Sequence, residues 1–230
     1  MKTIGFIGGT SWFSTASYYQ TINQMVNERL GGANAARLIL YSVNFQEYHQ
    51  LQESGRWDAI EQLYTDIALK LEHAGAECIL LCANTPHLIA DQLVPKLKVP
   101  FIHIADETAK AINKAGKNKV LLLGTKFTME RPFFIDRLSQ HNIEVVIPES
   151  EEREIIHSSI VNEFTKGIFS EEIKQKYQNI IRDSISNGAE GVIFGCTEIA
   201  LLLKPEECAL PVFDTARIHS SAAVEFAIGL

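Results

Sequence analysis

The sequence predicts an α/β protein made of two similar, doubly wound domains. Short apolar runs alternate with amphipathic stretches along all 230 residues, an order typical of parallel strands that are connected by helices. The apolar runs are continuous rather than alternating, as expected where helices cover both faces of a sheet. Three pairs of segments also recur at nearly the same separation. This recurrence indicates that the two halves are copies of one α/β unit.

Eight apolar runs are strand candidates, and three longer stretches are helix candidates. Apolar residues recur at three- and four-residue spacing in residues 18–30, 57–74 and 171–187, which predicts helices there. The strand candidates are IGFIG from Ile4, ARLILYSV from Ala36, ECILLCA from Glu77, PFIHIA from Pro100, KVLLLG from Lys119, IEVVIP from Ile143, GVIFGC from Gly191 and PVFD from Pro211.

The internal matches fix how the two halves correspond. GAECILLCANT (75–85) matches GAEGVIFGCTE (188–198), IGFIGGTS resembles VLLLGTKF, and VPFIHIAD resembles LPVFDTAR, all in the same order. The predicted domains comprise residues 1–98 with 208–230, and residues 99–207. The matches place Ala83 opposite Cys196, Asn84 opposite Thr197, Thr85 opposite Glu198, and the pair Gly9 and Thr10 opposite Gly124 and Thr125.

The repeated polar clusters GGTS, CANT, GTKF and GCTE all follow strand candidates. Ligands of open α/β sheets bind outside the carboxyl ends of the strands. Two halves related by a pseudo-twofold axis would bring these ends to one cleft. We therefore expect the site in that cleft, where chemistry can act on two faces of one small molecule.

Composition and charge exclude several classes of protein. A formal net charge of -7 and a pI of about 5.5 give no attraction for nucleic acid or an anionic membrane, and no apolar run approaches the roughly 20 residues that span a bilayer. The N-terminus is typical of a first strand rather than a signal peptide. The cysteines have neither zinc-site spacing nor the density of a disulfide framework, which favours a cytoplasmic location; they are Cys78, Cys82, Cys196 and Cys208.

Cys196 is the strongest candidate for chemistry. Moving the α-proton of an amino acid from one face to the other needs a base on one side and an acid on the other, and a thiol can do either task. Its pKa is about 8.5 when free and is lowered at a helix N-terminus. Thr197 and Glu198 would begin the next helix, so we expect a position that favours the thiolate. The histidines His87, His103 and His219 lack the spacing of a metal site.

Five motifs along the chain carry a resemblance to a known family. They are IGFIGGTSWFSTASYYQTIN, SVNFQEYHQLQESGRWD, ANTPH, GCTEIALLL and VFDTARIHSSAAVEFAI. The chain resembles the aspartate/glutamate racemase family, and within it the aspartate and broad-specificity amino-acid racemase branch. The resemblance implies racemisation without pyridoxal phosphate, metal or any other cofactor, by two bases that flank the α-carbon. It also implies a homodimer with a small amino acid or related carboxylate as substrate.

The resemblance implies two catalytic positions in this sequence, of which one retains its base and the other lacks it. Cys196 retains the base of the Gly-Cys-Thr-Glu motif, whereas Ala83 occupies the position of the other base and cannot move a proton. Cys82 is adjacent, but neighbouring side chains of a strand point to opposite faces, so it would need a local bulge to substitute. Activity is therefore expected to be weak or one-sided.

The resemblance also implies a set of substrate-binding residues. Asn84 and Thr85 would hold the α-carboxylate, and Gln52 would face the substrate side chain where aspartate-preferring members use arginine; Arg56 lies close enough in sequence to leave that specificity open. The other predicted substrate-binding residues, each of which also suits a cap, loop or surface position, are Thr10, Ser11, Thr125, Lys166, Thr197 and Glu198.

Three functions remain open from the sequence. The first is an amino-acid racemase in which water or a neighbouring group serves the face that Ala83 leaves without a base. The second is a decarboxylase of malonate type, which resembles this arrangement and keeps only the late cysteine. The third is a paralogue that binds an amino acid without turning it over.

Overall fold

The computed structural model describes residues 1–229, and these divide into two compact units. The first unit contains Met1–His103 and the chain from His219 onward, and the second contains Ile104–Ile218. Each unit is built on its own parallel β-sheet. The predicted fold class, α/β with parallel sheets, is confirmed.

The first unit has a three-stranded parallel sheet in the order β2-β1-β3. Its strands are short, apolar and joined by long connections, as parallel pairing requires. In chain order its elements are β1 (Ile4–Gly8), α1 (Trp12–Leu30), β2 (Leu38–Ser42), α2 (Phe45–Glu53), α3 (Trp57–His73), β3 (Cys78–Leu81) and α4 (Ala90–Leu93), with 3-10 turns at Thr85–Ile89 and Val94–Lys96.

Helices cover both faces of β1. Its successive side chains point to opposite faces of the sheet, so neighbouring residues contact different helices. Phe6 meets Tyr18 of α1 edge to face, with ring centroids 6.5 Å apart. Ile7 packs instead into the buried cluster that contains Ile60, Tyr64 and other residues of α3. All five residues of β1 are buried, which explains its continuous apolar sequence.

The second unit has a four-stranded parallel sheet in the order β5-β4-β6-β7. Its helices and strands pack around one buried cluster that includes every residue from Val120 to Leu123. In chain order the elements are α5 (Ile104–Lys114), β4 (Lys119–Leu123), α6 (Lys126–Glu130), α7 (Pro132–Gln140), β5 (Glu144–Val146), α8 (Ser150–Asn162), α9 (Glu171–Ser184), β6 (Gly191–Phe194), α10 (Ile199–Leu202), β7 (Val212–Asp214) and the start of α11 (Thr215–Ile228), with 3-10 turns at Phe164–Lys166, Ile185–Asn187 and Pro205–Glu207. From His219 onward α11 belongs to the first unit.

The two sheets have the same strand order under the matches found in the sequence. β1 and β4 are central, β2 and β5 are edges, and β3 corresponds to β6. The segment PFIHIA is not a full strand, because α5 begins at Ile104 and leaves one parallel bridge between Ile79 and Phe101. Its counterpart β7 is a strand of three residues in which Val212 pairs with Val192.

The unit boundaries differ from those expected from the sequence. The sequence places residues 208–230 in the first domain and residues 99–103 in the second. In the structure, residues 208–218 belong to the second unit, since β7 pairs with β6. Residues 99–103 belong to the first unit, since Phe101 bridges to Ile79.

β2 departs from the expectation of strands covered on both faces. It is an edge strand, and none of its residues is fully buried. Leu40 is 47% exposed and Tyr41 is 39% exposed. An edge strand with large apolar side chains and one unpaired row of backbone groups is a surface that folded proteins usually cover or protect.

Candidate active site

The turn after β1 is shaped by Gly9, which has a φ of 90°. A Cβ at this position would lie 2.1 Å from the carbonyl oxygen of Val43, so only glycine fits. The Gly9 N–H donates to Thr15 Oγ1 at 2.9 Å, and the same hydroxyl donates to the carbonyl oxygen of Ser11 at 2.9 Å. The turn is thereby fixed against the first turn of α1.

Thr10 and Ser11 follow this turn, and both are half-buried. Thr10 Oγ1 lies 2.6 Å from the hydroxyl of Tyr64. Ser11 caps α1, since its side chain accepts a hydrogen bond from the Ser14 N–H at 3.3 Å. The bond from Tyr64 to Thr10 was not expected from the sequence, because Tyr64 lies within the periodic pattern of α3 that also predicts core residues.

Ala83, Asn84 and Thr85 lie at the carboxyl end of β3, the strand next to β1. Ala83 and Thr85 are half-buried, and Asn84 is buried. Thr85 begins a 3-10 turn that runs to Ile89. The first unit therefore brings together five of the predicted site residues at two neighbouring strand ends: Thr10, Ser11, Ala83, Asn84 and Thr85.

Cys82 is not positioned to replace the missing base. Its side chain is buried, and burial raises the pKa of its thiol. Its backbone is fixed on both sides, because its N–H donates to the carbonyl oxygen of Ile7 at 2.9 Å and its carbonyl accepts from Ser14 Oγ at 2.7 Å. A bulge that turned this thiol towards the strand end would break both hydrogen bonds.

Three buried histidines lie close together, and one of them is hydrogen-bonded to the Ala83 segment. His87 Nδ1 lies 2.9 Å from the carbonyl oxygen of Ala83 and 3.2 Å from that of Asn84, so this nitrogen carries the proton. The ring of His87 lies 4.7 Å from that of His103 and 5.6 Å from that of His219. Burial and the two neighbouring histidines hold the pKa of His87 well below its usual value.

His219 is also held neutral. Its Nε2 lies 2.8 Å from the carbonyl oxygen of Ile102 and its Nδ1 lies 3.0 Å from the Tyr18 hydroxyl, so Nε2 carries the proton and Nδ1 accepts from Tyr18. Burial lowers the pKa of His219 to about 4. His87 and His219 are therefore neutral hydrogen-bonding groups of the first unit.

In the second unit, Cys196 forms a pair with Glu198 at the end of β6. Cys196 Sγ donates to Glu198 Oε2 at 3.0 Å. Thr197 Oγ1 donates to the same oxygen at 2.6 Å. Glu198 is buried, whereas Cys196 and Thr197 are half-buried. One carboxylate oxygen thus accepts both hydrogen bonds and can accept the proton of the thiol.

The expectation of a stabilised thiolate at Cys196 is wrong. Burial and the charge of Glu198 raise the pKa of the thiol well above its usual value. The helix expected to favour the thiolate, α10, has four residues and begins only at Ile199, so its dipole is small. Cys196 is therefore a neutral thiol that donates its hydrogen to a carboxylate.

Two other groups lie at the carboxyl ends of the neighbouring strands. Thr125 follows β4, is half-buried, and caps α6 through Thr128. Asp214 ends β7, where it is paired in register with Phe194 of β6. Burial raises the pKa of Asp214 even though its carboxylate accepts two backbone N–H groups at the start of α11. The motif VFDTA contains Asp214, but sequence reasoning did not single it out.

Two predicted substrate-binding residues lie away from these strand ends. Gln52 is half-buried near the end of α2 in the first unit. Lys166 is exposed at the end of a 3-10 turn in the second unit. Arg56 follows Gln52 by four residues in sequence. Its guanidinium donates to both carboxylate oxygens of Asp58, at 2.9 and 3.0 Å.

Among residues 1–229, no cluster of three or more histidine, cysteine, aspartate or glutamate residues could hold a metal ion. No helix in that range is both long and apolar enough to cross a membrane. The four cysteines are free thiols.

The fold and the thiol–carboxylate pair define an α/β protein equipped for acid–base chemistry, and comparison with known proteins gives the family. A model of the family described as Asp/Glu/Hydantoin racemase matches residues 7–223. The chain therefore belongs to the Asp/Glu/Hydantoin racemase family. The resemblance inferred from the sequence motifs and the enzyme class that it implies, an isomerase, are confirmed.

Individual relatives extend over nearly the whole chain. The broad specificity amino-acid racemase RacX of Bacillus subtilis (strain 168) is 24% identical over 227 residues, 96% of each chain. A candidate Asp/Glu racemase from Yersinia pestis is 46% identical, with a TM-score of 0.94 over 99% of this chain and 100% of that one. An aspartate racemase homologue from Pyrococcus horikoshii OT3 is 40% identical, with a TM-score of 0.89 over the same shares.

The buried histidines predict a loss of stability in mild acid. The pKa of His219 is lowered from 6.5 to about 4, so its contribution is fully present above pH 6.5 and is lost as the pH falls towards 4. For this one histidine the loss amounts to about 3 kcal/mol of unfolding free energy. Urea unfolding at a series of pH values measures it, and His219→Gln should flatten the decline because glutamine keeps both hydrogen bonds and does not titrate.

The exposed His73 provides a control for the substitution itself, since His73→Gln should leave the unfolding free energy at pH 7 unchanged. If His219→Gln declines as steeply as the unmodified protein between pH 6.5 and 4, the histidine is not held neutral in the fold.

Replacing Glu198 should make Cys196 more reactive. Glu198→Gln removes the charge that raises the pKa of the thiol, so we expect alkylation of Cys196 by iodoacetamide at neutral pH to accelerate about tenfold, the change for one pKa unit. Mass spectrometry of the modified peptides measures the rate. The half-buried Cys208 is an internal control, because its pKa is raised by burial and by Glu207 and Glu206. An unchanged or slower reaction at Cys196 would show that Glu198 does not raise the pKa of the Cys196 thiol.

Proposed function

We propose that the protein is a cofactor-independent amino-acid racemase that works on the two faces of its substrate unequally. Cys196 moves the α-proton on one face, and Glu198 accepts the proton of the thiol. The observation that carries the proposal is the 3.0 Å hydrogen bond from Cys196 Sγ to Glu198 Oε2. This bond supplies both a neutral thiol and a base beside it.

The proposed step transfers two protons. The α-carbon loses its proton to the sulfur of Cys196 while the original thiol proton passes to Glu198 Oε2, and the electron pair of the C–H bond remains on the substrate as a carbanion. Thr197, which donates to the same oxygen at 2.6 Å, keeps that oxygen oriented throughout. Return of a proton along the same path restores the starting enantiomer, with solvent hydrogen exchanged in.

Inversion needs a proton from the opposite face, which falls to the position of Ala83. A methyl group supplies none. The thiol of the adjacent Cys82 is buried, and the backbone of that residue is held by a hydrogen bond from Ser14 Oγ. We propose that water serves this face. Because a positioned acid or base is worth about 100- to 10,000-fold in rate, exchange with retention should be much faster than racemisation.

The first unit supplies the proposed binding groups. Asn84 and Thr85 would hold the α-carboxylate at the end of β3, with Thr10 and Ser11 beside them and Thr125, Lys166 and Thr197 contributing from the second unit. Broad specificity is favoured over strict aspartate recognition, because Arg56 is engaged by Asp58 and Gln52 is neutral. The name of the Bacillus subtilis relative, a broad specificity amino-acid racemase, agrees with this proposal.

A decarboxylase of malonate type is the second candidate, and one observation favours it. Protonating an enediolate on a single face needs one neutral thiol and no second base, which is the state of Cys196. Release of carbon dioxide from a disubstituted malonate, with no exchange of amino-acid α-protons, would select this function.

We further propose that the enzyme is a cytoplasmic homodimer. Four free cysteines suit a reducing compartment. The exposed edge of β2, with Leu40 47% and Tyr41 39% exposed, is a surface that a second copy of the chain would cover. Partner classes other than the amino-acid substrate, including nucleic acid and membranes, are not proposed.

Restoring a second acid tests the racemase directly. Ala83→Cys should raise the rate of inversion about 100- to 10,000-fold, measured by chiral chromatography after incubation of single enantiomers in deuterated water. The same samples report α-deuterium in the starting enantiomer, which the unmodified protein should accumulate first. Ala83→Val is the matched control, since it adds volume without a proton and should give no gain.

If Ala83→Cys folds but inverts no amino acid faster, the position does not serve a face of the substrate. Absence of α-proton exchange with every acidic, neutral and polar amino acid would contradict the racemase as a whole.

The dimer is tested by light scattering during size-exclusion chromatography. The chain has a mass of 25.7 kDa, and we expect about twice that mass. Tyr41→Glu should shift the protein towards the monomer because it places a charge on the exposed edge of β2. A monomeric mass for the unmodified protein at micromolar concentration would contradict the dimer.

A further inference from the structure

Tyr48 attaches α2 to the first unit. It is 1% exposed and is the only fully buried residue of α2, which packs against α3. Its ring lies in the same cluster as that of Tyr64, with centroids 6.0 Å apart. These two tyrosines, buried side by side, form a natural pair for comparison.

The two hydroxyl groups differ in their hydrogen bonding. The Tyr64 hydroxyl is bonded to Thr10 Oγ1 at 2.6 Å. The buried Tyr48 hydroxyl has no hydrogen-bond partner among residues 1–229. Leaving a buried hydroxyl unsatisfied costs stability, and native proteins rarely keep such a group without a reason. A phenylalanine would fill the same space without that cost, so the hydroxyl calls for a functional explanation.

The surroundings of Tyr48 point to the substrate side chain. Gln52 lies four residues later on α2, which places it on the same helix face as Tyr48. Tyr64, whose ring lies beside that of Tyr48, is hydrogen-bonded to Thr10 at the end of β1. Thr10 and Gln52 are both substrate-binding residues of the proposed racemase. Tyr48 shares a helix face with Gln52 and lies beside the tyrosine that is bonded to Thr10.

We propose that Tyr48 is a specificity-determining residue whose hydroxyl donates a hydrogen bond to a neutral oxygen, of an amide or a hydroxyl group, in the side chain of the substrate. This inference rests on the proposed function and names the class of amino acid that the site prefers. The ligand reaches the buried hydroxyl by a small shift of α2, whose other residues are half-buried or exposed.

A neutral oxygen fits this group better than a carboxylate. Tyr48, Tyr64, Thr10 and Gln52 carry no charge at neutral pH, and burial raises the pKa of both tyrosines. A carboxylate beside them would lose its hydration without gaining a cation, since Arg56 is already bound to Asp58. A neutral oxygen loses less hydration and gains the phenol as a donor.

Stability of the free protein gives the first test. Tyr48→Phe removes a hydroxyl that has no partner among residues 1–229, so we expect an unfolding midpoint equal to or higher than that of the unmodified protein. Tyr64→Phe, the matched control, breaks the bond to Thr10 and should lower the midpoint by about 2–4 °C, the shift for 1 kcal/mol in a chain of this size. A midpoint for Tyr48→Phe that falls as far as that of Tyr64→Phe would overturn the assignment, because the hydroxyl would then have a structural partner.

Ligand binding gives the second test, with glutamine and norvaline as probes. The two amino acids share the aliphatic part of the side chain, and only glutamine carries a neutral side-chain oxygen. We expect calorimetry to show that Tyr48→Phe weakens glutamine binding about tenfold and leaves norvaline binding unchanged. Equal losses for both ligands, or no loss for glutamine, would overturn the assignment, as would equal affinity of the unmodified protein for the two.

These measurements separate the two proposals. If the unmodified protein binds glutamine more tightly than norvaline through Tyr48 but exchanges no α-proton, the racemase fails and the role of Tyr48 stands. If α-protons exchange and Tyr48→Phe changes neither ligand, the racemase stands and the role of Tyr48 fails.

Discussion

A single carboxylate oxygen, Glu198 Oε2, organises the reactive end of this protein. It accepts the thiol of Cys196 and the hydroxyl of Thr197 in a buried position. Burial and this charge together keep the proton on sulfur, and the same carboxylate oxygen is the group that can accept that proton. A cysteine in a buried, neutral setting is otherwise a small apolar residue. The neighbouring carboxylate gives this thiol a hydrogen-bond acceptor to which it can pass its proton.

The duplication explains how the two units differ in chemistry. Where the second unit has Cys196, Thr197 and Glu198, the first has Ala83, Asn84 and Thr85 at the corresponding strand end. None of the latter three titrates. Around them the first unit places neutral hydrogen-bonding groups, namely the buried histidines and tyrosines.

Much of the fold and of the candidate site could be predicted from the sequence. Continuous apolar runs predict the strands, and the internal matches align Ala83 with Cys196. Two features depended on tertiary contacts. PFIHIA and PVFD have similar patterns, yet only the latter is a strand, because α5 starts at Ile104 and ends the pairing after one bridge. β2 has an apolar sequence but is an edge strand. Its position could not be predicted, because the local sequence does not specify which strands lie beside it.

The protonation state of Cys196 was beyond sequence reasoning for a physical reason. A short helix start and an adjacent carboxylate shift a thiol pKa in opposite directions, and their balance depends on where the Glu198 side chain turns. The most direct test is the ultraviolet absorbance of thiolate, taken as the difference between the unmodified protein and Cys196→Ser. The account predicts no thiolate signal from Cys196 at neutral pH and its appearance only in strongly alkaline solution. A thiolate signal at neutral pH would contradict the account.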